Sequence, residues 1–360
     1  MRIAFEAFWW QKGPFSNRQV LREIIFNWIK EFPLDEIALV VPRADVLATQ
    51  EELPVGITVL GSRLRPQGLS SIIELPTLVR RFKPDVVVAH NFTPWSGFSA
   101  LFLQDVLFLS HPEWFTLLER AYFSLMTLTA PRADVVFSST VTEGRRIQEA
   151  LSVAGTVCPV GLAVSSTLSG SEPVTPSWPL RTGEFSLTVG RLNVRKNLEF
   201  TCLAAIDCED VTAENPLVIV GSIQGKAMQM SLEIQTAIDD GRIVLLNYAT
   251  SGELRWLYEN CSVFVFMSLD EGFGLPPLEA LYFGAQVVAS DIPVMREVLS
   301  EHAHYVSPTD RGGVTEALRT VNRAQRTGTG PDGAGARYAR DKYSYVTTVR
   351  AMRQKLEELV

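Results

Sequence analysis

Short, wholly apolar runs alternate along this chain with stretches in which apolar residues recur every three or four positions. Residues 2–8, 37–41, 56–60 and 85–89 read as strands, and 134–138 as a later one. Val20, Leu21, Ile24, Ile25 and Trp28 fall on one face and predict a helix over 17–31. Residues 71–82 are also expected to be helical, ended by the breaker Lys83-Pro84. Strands that are apolar throughout and separated by helices imply a parallel α/β sheet covered on both faces. Ligands of such sheets bind beyond the carboxyl ends of strands. The loops at 10–15, at 90–96 and from 104 onward are therefore the ones to inspect.

The theme repeats in the second half without an internal sequence repeat. Strands are expected at 185–189, 217–220, 243–246 and 263–267, with helices at 198–206 and 251–258. Ser251 is the expected cap of the latter, with Leu254 and Leu257 inward. Between the halves, residues 161–183 are rich in Ser, Thr, Pro and Gly and carry no helical period, so a linker is expected, with a wide loop as the alternative. The resulting domains are 1–165, a linker at 166–183, a second domain at 184–336 and a closing helical segment at 337–360. The stretch 326–336, RTGTGPDGAGA, reads as flexible.

Residues 268–290, SLDEGFGLPPLEALYFGAQVVAS, concentrate the candidate chemistry. Pro276 and Pro277 suit the first turn of a helix and Gly284 its end, which predicts a turn, a helix over 276–283 and a buried strand over 286–289. The first N–H groups of a helix lack internal partners and its amino end is positive, so the amides of Phe273, Gly274 and Leu275 can close on a phosphate. Glu279 falls in the first turn, where a carboxylate is better placed to accept ribose hydroxyls than to meet phosphate. Glu271 then points from the loop toward whatever a diphosphate carries. A capped helix with two solvated glutamates is the competing reading of an isolated E-x7-E; here the glycines, prolines and flanking strands agree on a site. A second constellation, Gly190-Arg191-Leu192-Asn193-Val194-Arg195-Lys196-Asn197, lies between a strand and a helix. Arg191 supplies a planar fork and Lys196 a point charge for a diphosphate, although such turns are often solvated loops. With two cations present and no D-x-D motif in a suitable loop, no metal ion is expected to be needed. Asp239-Asp240 reads as a polar surface turn.

Composition narrows the field. A chain of 360 residues with 46% hydrophobic content has room for two domains with full cores. The net charge of −7 argues against nucleic acid as the main partner. Cys158, Cys202, Cys208 and Cys261 form no C-x-x-C pair, so buried, reduced thiols are expected. The start MRIAFEAFWW reads as a first strand, not a leader, and no apolar run reaches the length of a membrane span, about 18 residues. A cytoplasmic protein is expected.

The run EGFGLPPLE resembles the E-x7-E signature of retaining GT-B glycosyltransferases, in particular glycosyltransferase family 4 (GT4), and the likeness continues through ALYFGAQVVASDIPVMREV. It is strong from 185 to 297, fair from 85 to 139 and weak elsewhere. The resemblance implies two Rossmann-like, doubly wound domains facing each other across a cleft, with the last helix crossing back to the first. It implies that Glu271 contacts the donor sugar and Glu279 the ribose. LTVGRLNVRKN matches the family's pattern for neutralising the leaving diphosphate, which assigns Arg191 and Lys196 that role, places Gly190 beside them and leaves Arg195 peripheral. FLQDVLFLSHPEWF resembles a family stretch with a His-Asp pair near the donor sugar. Here Gln104 replaces the His; it can hydrogen-bond but carries no proton at neutral pH, a departure consistent with a donor such as a 6-deoxy sugar. Asp105 remains a candidate contact to sugar or acceptor. Gly13 is the one glycine in the loop that corresponds to the family's glycine-rich loop. His90 and Asn91 are acceptor-side candidates, a structural role being the competing reading for His90. Asn247 and Tyr248 are expected near the base.

The function so implied is retaining transfer of a hexose or deoxyhexose, of mannose or rhamnose type, from a nucleotide-diphospho sugar to a hydroxyl of a glycan, lipid-linked or small-molecule acceptor. No cofactor is required beyond the co-substrate. The leaving phosphate would help deprotonate the acceptor in a front-face attack, and domain closure would exclude water. Paired carboxylates flanking a scissile bond at about 5 to 9.5 Å, as in glycosidases, fit less well with a carboxylate assigned to ribose. A GT-B phosphorylase, a nucleotide-sugar epimerase and a non-catalytic nucleotide-sugar-binding subunit are the alternatives. Residues 17–31 and the cluster Arg80-Arg81-Phe82-Lys83 offer peripheral contact with an anionic membrane, against the simpler reading of a solvated helix end. The sequence leaves the oligomeric state open.

Overall fold

A wholly apolar strand is stable only with both faces covered, and that condition organises both halves of the chain. The computed structural model describes residues 1–191, 193–221, 231–323 and 330–359. It divides into two units: Met1–Pro112, Leu117–Ser165 and Ser344–Val360 form one, Glu113–Thr116 and Ser166–Tyr343 the other.

The first unit is built on a seven-stranded sheet of β1 (Arg2–Glu6), β2 (Glu36–Pro42), β3 (Thr58–Ser62), β4 (Val86–His90), β5 (Ser99–Leu103), β6 (Val135–Ser138) and β7 (Thr156–Pro159). Every pairing is parallel and the order is β3-β2-β1-β4-β5-β6-β7. The chain runs outward from β1 through β2 to β3 and then resumes on the other side at β4. The switch point therefore lies between β1 and β4. The helix Phe15–Glu31 buries Val20, Leu21, Ile24, Ile25 and Trp28, as its periodicity predicts. Trp28 meets Phe5 of β1 edge-on at 5.6 Å.

Two expectations about helices need correction. Residues 71–82 are not one helix; a π-helical turn, Ser70–Glu74, precedes the short helix Leu75–Val79. Pro76 has no N–H to return to the carbonyl of Ile72, and the Trp95 N–H takes that carbonyl instead at 3.0 Å. Residues 337–360 form two helices, Ala334–Lys342 and Tyr345–Glu357, because Tyr343 is extended and Ser344 caps the second by accepting from the Thr347 N–H at 3.0 Å.

The second unit has a six-stranded parallel sheet of β8 (Ser186–Val189), β9 (Leu217–Val220), β10 (Ile243–Leu246), β11 (Val263–Phe266), β12 (Val287–Ser290) and β13 (His304–Val306). Its order, β10-β9-β8-β11-β12-β13, places the switch point between β8 and β11. Leu217, Ile219, Val263, Val265 and Val288 share a core with Cys202, Ala205 and Leu318. The helix Ser251–Asn260 is capped by Thr250, not by Ser251. Glu253 N–H donates to the Thr250 hydroxyl at 3.3 Å, and Thr250 N–H donates to the Glu253 carboxylate at 2.8 Å, the reciprocal box of a T-x-x-E sequence. Of the stretch expected to be flexible, 326–329 lies outside the described residues. Gly330 donates its N–H to the Gly284 carbonyl at 2.9 Å, and a helix begins at Ala334. All four cysteines are free, with Cys158 half-buried and the others buried. Among the described residues no helix is long and apolar enough to cross a membrane.

One carboxylate ties the last helix to the first sheet's cover. Asp35 accepts from Arg353 Nε and Nη2 at 3.0 and 3.2 Å and from Trp28 Nε1 at 3.1 Å. Burial opposes its ionisation, but bonds from the Met1 amine, Arg353 and Trp28 outweigh burial and hold the carboxyl below its usual range. Replacing Asp35 with Ala leaves the Arg353 guanidinium with Glu357 alone and takes this acceptor from the Met1 amine and the Trp28 indole N–H. Asp35→Ala is expected to destabilise the first unit by about 3 kcal/mol, read as a shift of its urea-unfolding midpoint. No shift would mean that the helix Tyr345–Glu357 is held by apolar packing and its other polar contacts, such as Arg350 with Glu31, without need of Asp35.

Candidate active site

The loops leaving the carboxyl ends of β8 and β11 flank the switch point of the second sheet, and they carry the two constellations predicted from sequence. After β8, Asn193 turns the chain by accepting from the Lys196 N–H at 3.2 Å, and Asn197, at φ 53°, opens the helix Leu198–Ile206. After β11, the Leu269 N–H donates to the Arg195 carbonyl at 2.9 Å and ties the two loops together. Close backbone approach is needed beneath them. A Cβ on Gly221, whose φ is 156°, would lie 1.9 Å from the Gly190 carbonyl oxygen.

Glu271 is the electrostatic centre. Lys196 Nζ donates to its Oε1 at 2.5 Å, Ser268 Oγ donates to the same oxygen at 2.7 Å, and Arg195 Nη1 stands 3.5 Å from Oε2. Glu271 is only 5% exposed. Burial alone would raise its carboxyl, but the charges of Arg195 and Lys196 and the bonds from Lys196 and Ser268 win and hold it at about 2. Burial lowers the Lys196 ammonium, partly opposed by Glu271, with the nearby charges of Arg195 and Arg191 adding to the fall. The ammonium also lies 4.6 Å from the Phe266 ring centroid. Arg195, expected at the periphery, is thus part of the cluster. The expected separation of roles, Lys196 for diphosphate and Glu271 for sugar, begins from a state in which the two are bonded to each other.

The following helix is Leu275–Tyr282 and starts one residue earlier than expected. Gly274 precedes it at φ 94°, and a Cβ there would lie 2.3 Å from the Met295 methyl carbon. The helical amides of Gly274 and Leu275 head the axis, followed by Pro276 and Pro277, which have none. Phe273 is buried and meets Tyr343 edge-on at 5.5 Å. Glu279, expected in the first turn, falls in the second because the helix begins at Leu275; it is buried and accepts from the Tyr258 hydroxyl at 2.9 Å. Burial pushes its carboxyl up to about 7, against that bond. Ser290 Oγ donates to the Ser268 carbonyl at 2.7 Å and fixes the start of the Glu271 loop from β12. Asn247 and Tyr248 follow β10, two strands from β8, and both are exposed. Among the described residues neither bonds to Glu271 or Glu279.

Gly13, His90, Asn91, Gln104 and Asp105 belong to the first unit. Gly13 packs against the Trp9 ring: a Cβ there would lie 2.2 Å from it. His90 closes β4 with its ring 4.9 Å from that of Phe102. Its Nε2 is buried without a hydrogen-bond partner, and burial brings its pKa down to about 4, leaving it neutral. Asn91 takes a left-handed φ of 66°. The Gln104 carbonyl accepts from Ser139 Oγ at 2.9 Å while its Nε2 is buried without a partner. Asp105 Oδ1 accepts from the Leu107 N–H at 3.4 Å.

Sequence reasoning missed Glu6, which ends β1 beside the first switch point. Phe8 N–H donates to its Oε1 at 2.9 Å, and Gln67 Nε2 and His90 N–H donate to Oε2 at 3.0 and 3.3 Å. Gln67 also donates to the His90 carbonyl at 3.1 Å and accepts from Trp9 Nε1 at 2.9 Å. Burial raises the Glu6 carboxyl to about 7 despite these bonds. The signal available was a lone carboxylate in the apolar run RIAFEAF. Ser268, Ser290, Tyr258 and Gly221 were likewise given no role, because their partners are distant in sequence. Among the described residues no group of three or more His, Cys, Asp or Glu side chains could hold a metal ion.

The family described as "Glycosyl transferases group 1" matches residues 177–322, and that described as "Glycosyl transferase 4-like domain" matches 35–162. The O-antigen chain mannosyltransferase RfbU of Salmonella typhimurium strain LT2 is 31% identical over 109 residues, 30% of this chain and 31% of that protein. The serotype-specific mannosyltransferase WbdA of Escherichia coli is 31% identical over 144 residues, 39% of this chain and 17% of that protein. The chain thus spans about a third or less of these curated relatives. Among solved structures, sucrose-phosphate synthase from Thermosynechococcus elongatus aligns with a TM-score of 0.72 at 14% identity, covering 99% of this chain and 98% of that one. Anabaena Alr3699/HepE, in complex with UDP and glucose, aligns with a TM-score of 0.67 at 14% identity, covering 99% of each. At such identities the likeness is one of fold.

The depressed Glu271 carboxyl has a pH signature. Its stabilising contribution is complete above the ordinary carboxylate value and is lost as pH falls toward about 2. The stability difference between the wild type and Glu271→Gln is therefore expected to be largest above about pH 5 and to shrink by about 3 kcal/mol on acidification, measured by urea unfolding across that range. A gap independent of pH would remove the ion-pair account of this cluster.

Proposed function

Because the chain belongs to the GT4-type glycosyltransferases and has their GT-B fold of two parallel-sheet α/β domains, we propose that it transfers a hexose or deoxyhexose, with retention, from a nucleotide-diphospho sugar to a hydroxyl of a glycan, lipid-linked or small-molecule acceptor. The observation that carries this reading is the cation cluster at the β8–β11 switch point. Arg195 and Lys196 pair with Glu271, in the loop that leads into the helix Leu275–Tyr282, and Arg191 is near enough for its charge to act on Lys196. Three cations and a helix amino end suit a leaving diphosphate. The Lys196 ammonium has three donors and spends one on Glu271. It can hold that carboxylate and a phosphate oxygen together.

Glu271, locked as an anion, acts as a hydrogen-bond acceptor for sugar hydroxyls. A carboxyl held at about 2 is a poor acid at neutral pH. Glu279 receives the ribose hydroxyls. Catalysis on this reading is positioning plus charge stabilisation, without a metal ion. His90, Asn91, Gln104 and Asp105 stay on the acceptor and sugar side, and Gly13 contributes through the turn it allows Trp9. The mannosyltransferase relatives favour a mannose-type sugar and a growing polysaccharide as acceptor. The split between Glu271 and Glu279, at about 2 and about 7, would by itself also suit a paired acid and base. The cations set against Glu271 favour transfer from a diphosphate.

A calorimetric panel of UDP-, dTDP-, GDP- and ADP-sugars, with and without Mg²⁺, tests this. One donor is expected to bind saturably with the same affinity in both conditions. Lys196→Ala and Glu279→Ala are expected to lose that binding, whereas Glu271→Gln keeps it within a few-fold and loses about a hundredfold in turnover. Failure of every donor to bind the wild type would overturn the transferase reading. Binding with neither transfer nor hydrolysis would point to a nucleotide-sugar-binding subunit.

A further inference from the structure

Tyr258 has no part in the transfer just described, yet it is the side chain that meets Glu279. It is fully buried on the helix Ser251–Asn260, stacks on Phe283 at 6.0 Å and 9°, and packs against Phe264 at 5.6 Å. Its hydroxyl donates to Glu279 Oε2 at 2.9 Å. The cations on the helices packed around Glu279 are engaged elsewhere. Arg255 bonds Glu259 at 2.7 Å, Arg340 bonds the Tyr282 carbonyl at 3.1 Å, and Arg296 bonds Asp291 at 2.5 Å. Among the described residues, Tyr258 is the one titratable side chain bonded to this carboxyl.

We infer that Tyr258 is a positioning residue for Glu279, which fixes the carboxyl for a pair of ribose hydroxyls and couples donor binding to the release of one proton from it. The inference rests on the donor reading above and extends it to a group outside the ligand's reach. Two aromatic neighbours hold the phenol ring, the phenol holds one carboxylate oxygen, and the carboxylate keeps its remaining lone pairs for the ligand. One neutral donor does not offset burial, and the carboxyl sits at about 7. Two more hydroxyl donors favour the charged form. The ligand therefore binds ionised Glu279, and the proton passes to solvent. Affinity is then constant well above about pH 7 and falls about tenfold per pH unit below it. Tyr258→Phe removes the bond that lowers the Glu279 carboxyl, so the midpoint of this dependence moves to higher pH.

Nucleotide-diphospho sugars are the probes of choice, because their diphosphate is esterified at both ends and lacks the titrating second proton of a terminal phosphate. The donor that binds in the UDP-, dTDP-, GDP- and ADP-sugar panel is titrated calorimetrically into the full chain from about pH 5.5 to about pH 9, in buffers of different ionisation heat. The wild type is expected to release close to one proton on binding near pH 6. Tyr258→Phe is expected to bind several-fold more weakly at pH 7 and nearly as well as wild type at pH 9. Glu279→Gln, which cannot ionise, is expected to bind weakly and with no pH dependence. Thermal unfolding checks that each variant is folded. Wild-type affinity independent of pH, a Tyr258→Phe defect of the same factor at every pH, or a pH dependence that survives in Glu279→Gln would each overturn the inference while leaving the donor site standing. Absence of binding by the wild type to every probe would instead overturn the donor reading and this inference with it.

Discussion

Glu271 cannot be buried at the crossover of the second sheet unless positive charge is buried with it, and much of the local architecture answers that requirement. An unpaired carboxylate in such a place would take up a proton. Lys196, Arg195 and Ser268 prevent this. For Lys196 to reach, the loop after β8 must fold back over the strand ends, which Gly190 and Gly221 permit by leaving backbone against backbone. For Glu271 to be met, the loop after β11 must start at a fixed height, which Ser290 sets through the Ser268 carbonyl. The same cluster concentrates cations where an anionic ligand would lie, so the stability of the second unit and its proposed chemistry draw on one set of contacts.

Three buried carboxyls in this chain show how environment divides one functional group into different states. Glu271 is surrounded by cations and stays ionised down to about pH 2, whereas Glu279 and Glu6 receive only neutral donors and sit at about 7. The first is a fixed charge. The other two are poised, so that a modest change in hydrogen bonding alters their protonation. Glu6 ends β1 and Glu271 follows β11, strands that border the switch points of their own sheets, where a parallel sheet leaves a crevice and open backbone groups. Around Glu6, Gln67 bridges the carboxyl, the His90 carbonyl and Trp9, and so ties the ends of β1 and β4 and the segment at Trp9 into one buried network.

The fold is shared with proteins only 14% identical to this chain, so conservation of architecture says little about substrate. What separates members of such a fold is the side-chain complement at the strand ends. In this chain that complement includes Gln104, whose Nε2 is buried without a partner, a Trp9 ring packed against Gly13, and an arginine, Arg195, beside Glu271. Each sets local charge or shape from a position outside the strands.

Local sequence determined ten of the thirteen strands among the described residues, all but β5, β7 and β13, together with the helix Phe15–Glu31, the turn-and-helix around Gly274 and the two loops that bear Glu271 and Lys196. Those features depend on apolar periodicity and on glycine and proline stereochemistry, which act within a few residues. The T-x-x-E box at Thr250 was equally readable, and choosing Ser251 passed over it. Tertiary structure alone decided the rest. It bonded Lys196 to Glu271 across 75 residues, Tyr258 to Glu279 across 21 and Gln67 to Glu6 across 61. It broke the closing segment at Tyr343 and gave the Ile72 carbonyl to Trp95. The reason is physical. Hydrogen bonds and ion pairs between buried groups depend on strand order and burial, and a sequence read in windows carries neither. The residue types at the site were legible, but their ionisation states were not.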